Sequence, residues 1–249
     1  MQIGAQFYTI RDHCKTPEDF AESLKRVADI GYRTVQISGT CPFEGRWLKE
    51  QLDQNGLTCV LTHTPPAELK ADAAAVARKH DVFHCDCVGL GYFPFGEEEG
   101  NRYEDFLQAY RPVAKALREN GKYFMFHNHD REFQKLDGKL ILQHLADEFT
   151  PEELGFVLDT YWIQVGGGDP AWWIEHLAGR VPCIHLKDFA FDRKMAVIGE
   201  GNINFERVFE KAEAAGTKYM LVEQDDCNGE DPFDCLARSY AYLKAQGFE

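Results

Sequence analysis

Short apolar runs alternate with longer amphipathic stretches along the whole chain. The apolar runs are Ile3–Thr9, Thr34–Ser38, Thr58–His63, Val82–Gly89, Tyr123–His127, Gly155–Asp159, Cys183–Lys187 and Tyr219–Glu223. Each is rich in Val, Ile, Leu, Phe, Tyr or Cys, the composition of a strand buried on both faces. The stretches between them repeat at helical spacing. In "TPEDFAESLKRVADIG", Thr16 can cap, Pro17 sits in the first turn and Asp19 lies three residues after the cap. Phe20, Leu24, Val27 and Ile30 form one apolar stripe, and Gly31 ends it. Further helices are expected over Trp47–Gln54, Ala67–Lys79, Tyr103–Asn120, Leu140–Glu148, Ala171–Leu177, Phe205–Ala215 and Pro232–Gln246. Before four of the strands the helix closes in a similar phrase: "ADIGYRTVQ", "LDQNGLTCV", "RENGKYFMF" and "EAAGTKYML". Each places a glycine where a helix stops with positive φ.

Eight strand–helix units in strict alternation imply a parallel sheet. Eight units in about 250 residues favour a closed (β/α)8 barrel, the TIM barrel of the α/β class. No linker or charge run divides the chain, so residues 1–249 form a single domain. "FGEEEGN" (Phe95–Asn101) reads as a short acidic loop, and "QKLDGK" before Leu140 as the tight turn of a small hairpin.

Composition narrows the partners. The chain is 44% hydrophobic and 27% charged, with a net charge of −14 and a pI of about 5.1. Such a charge opposes nucleic acid and anionic membrane. It leaves room for a small anionic substrate, because a metal or local charges can dominate inside a pocket. The start "MQIGAQFYTIRDH" lacks a basic segment followed by an apolar core, and no apolar run is long enough to span a bilayer. A cytoplasmic chain with eight reduced cysteines is expected. Cys85 and Cys87 flank Asp86 and suit a soft metal, but no second spaced pair accompanies them; two thiols on a buried strand is the favoured reading.

The strand ends carry the chemistry, since active sites of such barrels sit at the carboxyl ends of the strands. There stand His63, His127 with His129, Asp159, His185 with Lys187, and Glu223. His80, His144 and His176 fall in helices and read as surface residues. His127 or His129, Asp159, His185 and Glu223 make a mixed nitrogen and oxygen shell for a divalent metal. Two carboxylates neutralise a dication, and two imidazoles suit Mn, Fe, Co, Ni or Zn better than Ca or Mg. Each residue has a plainer role too. Asp159 can cap the helix after "LD", His185 can hydrogen-bond in the core, and Glu223 can be a rim charge. Their convergence on one face of the barrel favours the metal.

The phrases "HNHDREF", "LDTYW", "IHLKD", "GEGNINF" and "LVEQD" span the second half of the chain. With the strand order they make the whole chain resemble the xylose isomerase-like barrel superfamily, in its sugar phosphate isomerase/epimerase-like branch. The resemblance implies one divalent metal, Mn foremost, with Co, Zn, Fe or Mg as alternatives. It implies Asp159, His185 and Glu223 as ligands. Where many members have a strand-five glutamate, this chain has His127 within "HNH". Alignment favours His127 over His129 as fourth ligand. The change removes one of the two glutamates that many epimerases use as an acid/base pair. A dimer or tetramer is the habit of the family.

The implied chemistry is proton transfer beside the carbonyl of a ketose or keto-sugar. Glu223 is the first candidate base, doubling as a ligand, and Glu132 the second; the plainer role of Glu132 is a loop salt bridge. Lys187 stabilises an oxyanion, donates a proton, or simply neutralises Asp159 and Glu223. His63, His129 and Trp162 are candidate substrate-binding residues, with Phe7 or Tyr8 as a further stacking face; for His63 a core hydrogen bond competes. Trp172 and Trp173 are expected to pack between helix and barrel. In "GEGNINF" the glycines let backbone amides approach a ligand, or the segment merely enters a helix capped by Asn202 or Asn204. A lyase or dehydratase acting on a keto-sugar, inosose or 3-keto-glycoside is the main rival, since His-for-Glu fits one base and one acid. A non-catalytic sugar-binding barrel is a third reading. An endonuclease IV-type phosphodiesterase is disfavoured: Trp162 and Lys194 stand where its histidines are expected.

Overall fold

A computed structural model describes residues 1–96 and 100–249. The centre of the acidic loop, residues 97–99, therefore lies outside the described residues. Eight parallel strands close into a barrel in the order β1-β8-β7-β6-β5-β4-β3-β2. They are β1 (Gln2–Gln6), β2 (Thr34–Ile37), β3 (Thr58–His63), β4 (Cys87–Leu90), β5 (Tyr123–His127), β6 (Gly155–Asp159), β7 (Cys183–Leu186) and β8 (Tyr219–Val222). The helices around them are α1 (Pro17–Ile30), α2 (Gly45–Asn55), α3 (Pro66–Val82), α4 (Tyr103–Glu119), α5 (Ile141–Glu148), α6 (Thr160–Val165), α7 (Pro170–His176), α8 (Phe205–Ala214) and α9 (Pro232–Ala245). The expected single-domain TIM barrel is thus the fold. No helix among the described residues is long and apolar enough to cross a membrane.

Local chemistry sets the ends of the elements. Thr16 accepts a hydrogen bond from the Asp19 amide, and Gly31 stops α1 at φ 128°. Alternate strand residues separate two cores. Phe126, Leu158, Ile184 and Val222 face the helices, in the larger core. Leu61, Met125, Val157, Cys183 and Leu221 fill the barrel interior.

Several expectations need correction. The first strand ends at Gln6, and residues 7–13 form a 3₁₀ turn. The Gln6 side chain accepts the Tyr8 amide, which turns the chain. Phe7 is consequently fully buried against Phe20, with ring centroids 5.7 Å apart, and cannot stack on a substrate. The fourth strand begins at Cys87, because α3 runs on to Val82 and His84 takes φ 57°. His80 is buried, bonded to Thr62 Oγ1 at 2.8 Å and to the Val76 carbonyl at 2.8 Å. Of the paired tryptophans only Trp173 packs inside; Trp172 is 44% exposed. The fifth-loop hairpin is present, pairing Lys135–Leu136 with Lys139–Leu140. In "GEGNINF" the amides do not await a ligand. Those of Gly199, Gly201 and Ile203 donate to the Asp188 carboxylate, and Asn204 caps α8.

Candidate active site

Four strands deliver four side chains to one point at the carboxyl end of the barrel. His127, Asp159, His185 and Glu223 each offer one ligand atom within 4.8 Å of the others, and all four are buried. His127 and Asp159 end their strands, His185 is the next-to-last residue of β7 and Glu223 immediately follows β8. Each stands two residues beyond an interior apolar residue, so the β alternation aims all four inward.

Neighbouring acceptors indicate which imidazole nitrogens carry protons. His127 Nδ1 donates to the Gly91 carbonyl at 3.0 Å. The Nε2 lone pair then faces Asp159 Oδ2 at 3.2 Å. His185 Nε2 donates to Gln36 Oε1 at 2.7 Å. Its Nδ1 stands 2.9 Å from Glu223 Oε2 and 3.7 Å from Asp159 Oδ2. Neither His185 Nδ1 nor Glu223 Oε2 makes a well-aligned hydrogen bond, although the Lys187 ammonium lies 2.9 Å from Glu223 Oε2. Buried lone pairs on nitrogen and oxygen thus face one another, an arrangement that needs a proton or a cation between them. A dication with two imidazole and two carboxylate ligands fits this set.

Neighbours hold the group in place. Gln6 Nε2 donates to Glu223 Oε1 at 2.7 Å, while Gln6 Oε1 is taken by the Tyr8 amide at 2.7 Å. Asp159 is divided between a cap and the cluster. Its Oδ1 caps α6 through the Trp162 amide at 2.9 Å, leaving Oδ2 for the cluster. Asn128 Oδ1 accepts the Asp159 amide at 3.0 Å, tying β5 to β6.

Lys187 reaches the same point. Its Nζ lies 3.1 Å from Asp159 Oδ2, 2.9 Å from Glu223 Oε2 and 3.0 Å from Asp225 Oδ2. Burial works against its charge most, but the three carboxylates outweigh it and hold its pKa well above the usual lysine value. Burial likewise opposes ionisation of Asp159 and Glu223, yet Lys187 and the imidazoles keep both well below the carboxylate range. His185 is raised, because Glu223 and Asp159 overcome its burial. His127 is lowered by burial and by His185.

The cluster opens into a cavity of about 600 Å³, lined among others by Tyr8, His63, His129 and Trp162. His63 Nδ1 meets Ser38 Oγ at 3.2 Å, while its Nε2 has no partner. His129 Nδ1 and Trp162 Nε1 are also buried and unpartnered. Burial holds His63 well below the usual histidine value and His129 down to about 2, so both are neutral. His129 packs on Trp162, ring centroids 5.2 Å apart, beside the cluster and not in it.

Glu132 is completely buried and does not line the cavity. Its Oε2 accepts the His129 amide at 2.7 Å, so it orders the "HNHD" turn and does not form the loop salt bridge of its plainer reading. Burial raises its pKa to about 7. Sequence reasoning missed Gln6, Gln36 and Asp225. The strand alternation placed both glutamines inside the barrel, where an uncharged amide suggested nothing. Asp225 stands two residues past Glu223, and that spacing was the available signal. It lines the cavity, and burial raises it to about 6.

The profile of the family described as "Xylose isomerase-like TIM barrel" matches residues 24–245. No curated protein matches the chain. Among solved structures, a sugar phosphate isomerase/epimerase from Parabacteroides distasonis ATCC 8503 superposes with a TM-score of 0.83 at 23% identity, covering 98% of this chain and 93% of that one. An L-ribulose 3-epimerase superposes at 0.75 and 16% identity, over 98% and 94%. A probable 3-DHS dehydratase from Bacillus anthracis does so at 0.75 and 12% identity, over 98% and 99%. At these identities the likeness shows the fold, which hosts both kinds of chemistry.

Proposed function

The chain belongs to the xylose isomerase-like TIM barrel family, and from that premise we propose that it is a divalent-metal-dependent isomerase or epimerase of a ketose or keto-sugar. The observation that carries this reading is the buried His127–Asp159–His185–Glu223 group, with its unpaired nitrogen and oxygen atoms, at the floor of a sugar-sized cavity. Mn is the first choice of cation by family resemblance, with Co, Zn, Fe or Mg as alternatives.

When bound, the cation supplies Lewis-acid polarisation of a carbonyl and offsets charge gathering on its oxygen. The chain's residues do the rest. Glu223, ionised and held by Gln6, accepts the carbon-bound proton at Oε2 and, for isomerisation, returns it to the adjacent carbon, whereas epimerisation requires a second donor on the opposite face of the sugar. Lys187 stays an ammonium, so it serves as a hydrogen-bond donor to developing negative charge and not as a base. His63 Nε2, His129 Nδ1 and the Trp162 indole N–H bind sugar hydroxyls, which both donate and accept. Glu132 acts by positioning His129.

One observation favours a second reading, elimination by a lyase or dehydratase. The cavity carries no carboxylate from β5 opposite Glu223, whereas Asp225 offers an acid raised to about 6 beside Lys187. That is an unequal acid and base. Metal analysis, then incubation with ketoses and inososes in D2O under NMR, separates the readings. Deuterium at the α-carbon without loss of water or aglycone is expected for the isomerase or epimerase. Loss of either supports elimination. Absence of stoichiometric metal, with no rise in Tm on adding Mn or Co, would sink both.

A further inference from the structure

A second cavity of about 250 Å³ adjoins the first. Ser38, Gly39, His63, Thr64 and Pro65 line both, so the ends of β2 and β3 are their common wall. The far side of the second cavity is largely apolar, formed by Ile37, Pro42, Phe43 and Val76. Exposed Glu68 and half-buried Lys79 also line it, with the Lys79 ammonium 4.3 Å from the Phe43 ring centre. The polar side chains at its inner end already bond one another. His80 Nε2 meets Thr62 Oγ1 at 2.8 Å, and Thr62 Oγ1 meets Thr64 Oγ1 at 3.0 Å. A water against the apolar wall of the cavity would find few partners. Its rim is simple to displace. The first turn of α3 is separated from the rest by a break at Asp72 (φ −158°, ψ 86°). Of residues 66–71 in that turn only Leu69 is buried.

We propose that the substrate is a sugar carrying an apolar ring substituent, with the sugar over the histidine and carboxylate cluster and the ring in this second cavity. The inference rests on the sugar-transforming reading of the first cavity and names its substrate class. Size agrees, since a dry cavity of roughly 150 Å³ already accepts a benzene ring. Position agrees as well. His63 borders both cavities, so a substituent leaving the sugar passes over the Thr64–Pro65 edge into the apolar space.

Cys41 lines the second cavity and is half-buried, so its alkylation reports on occupancy. Cys227 is half-buried too, and lines neither of the two cavities. Metal-loaded protein is treated with iodoacetamide in the presence of phenyl β-D-glucopyranoside or methyl β-D-glucopyranoside, and each site is followed by mass spectrometry. The phenyl compound should slow labelling of Cys41 roughly tenfold at about ten times its Kd, with Cys227 unchanged. The methyl compound should slow neither. Val76→Phe, which fills the cavity, should abolish the phenyl compound's advantage in binding. Equal protection by both glycosides, or by neither, overturns the proposal. Deuterium exchange on a free ketose with Cys41 unprotected would refute this inference alone. Protection of Cys41 without metal or exchange would support it and refute the isomerase reading alone.

Discussion

Leu61, Met125, Val157, Cys183 and Leu221 fill the barrel interior. Two residues further along the same strands stand His63, His127, Asp159, His185 and Glu223. The lower layer is apolar, with nothing to satisfy but packing. The upper layer is equally enclosed for the most part, yet holds unpaired nitrogen and oxygen atoms. Both layers use the same strands, twist and alternation. The barrel therefore supplies direction, and the residue identity at each strand end decides between stability and chemistry.

The largest effect should come from the upper layer. Glu223→Ala removes a proposed ligand and the proposed base together. Turnover should fall on the order of 10³-fold or more, and metal content should drop with it. A variant that kept both would break the comparison at its strongest point.

The lower layer should answer in the opposite currency. Leu221→Ala, in the same strand, should cost roughly 2–5 kcal/mol in denaturant unfolding while metal binding persists. A loss of metal without loss of stability would mean that the layers are not separable.

Glu132 tests the border between them. Its pKa in the fold is about 7 against an ordinary 4.5. The folded protein thus holds a proton that the unfolded chain has released, and ionisation destabilises the fold. The penalty is absent below pH 4.5, grows as pH rises and is complete above about 7. Glu132→Gln should therefore gain stability relative to the parent over that window, by up to roughly 3 kcal/mol. A pH-independent difference in Tm would contradict burial as the cause.

The smallest effect should come from the partners of the ligands. Gln36→Leu removes the acceptor that fixes the His185 tautomer. Metal affinity, measured by competition with a chelator, should weaken roughly 10–100-fold. An unchanged affinity would leave Gln36 as mere packing.

Much of this was legible in the residues alone. Strands and helices announced themselves through period and caps, as in Thr16 and Gly31. The clustered residues did so because histidines and carboxylates recurred where apolar runs stopped. The rest was hidden for physical reasons. Gln6 and Gln36 are uncharged and gain meaning only from what they face across the barrel. Phe7–Thr9 looks like strand, but the Gln6 side chain captures the Tyr8 amide and turns the chain. His80 looks like a surface residue on α3 until Thr62 of the neighbouring strand supplies its partner. Helix α6 spans Thr160–Val165, too short for a period to show.

His127 and His129 give the most direct test of the proposed metal centre, since they stand two residues apart at the end of β5 with opposed assignments. Metal content of purified parent, His127→Ala and His129→Ala proteins, measured by mass spectrometry after identical exchange against Mn, should show stoichiometric metal in the parent and in His129→Ala and loss in His127→Ala. Equal retention in the two variants, or metal lost only with His129, would contradict the assignment of His127, Asp159, His185 and Glu223 as the metal site.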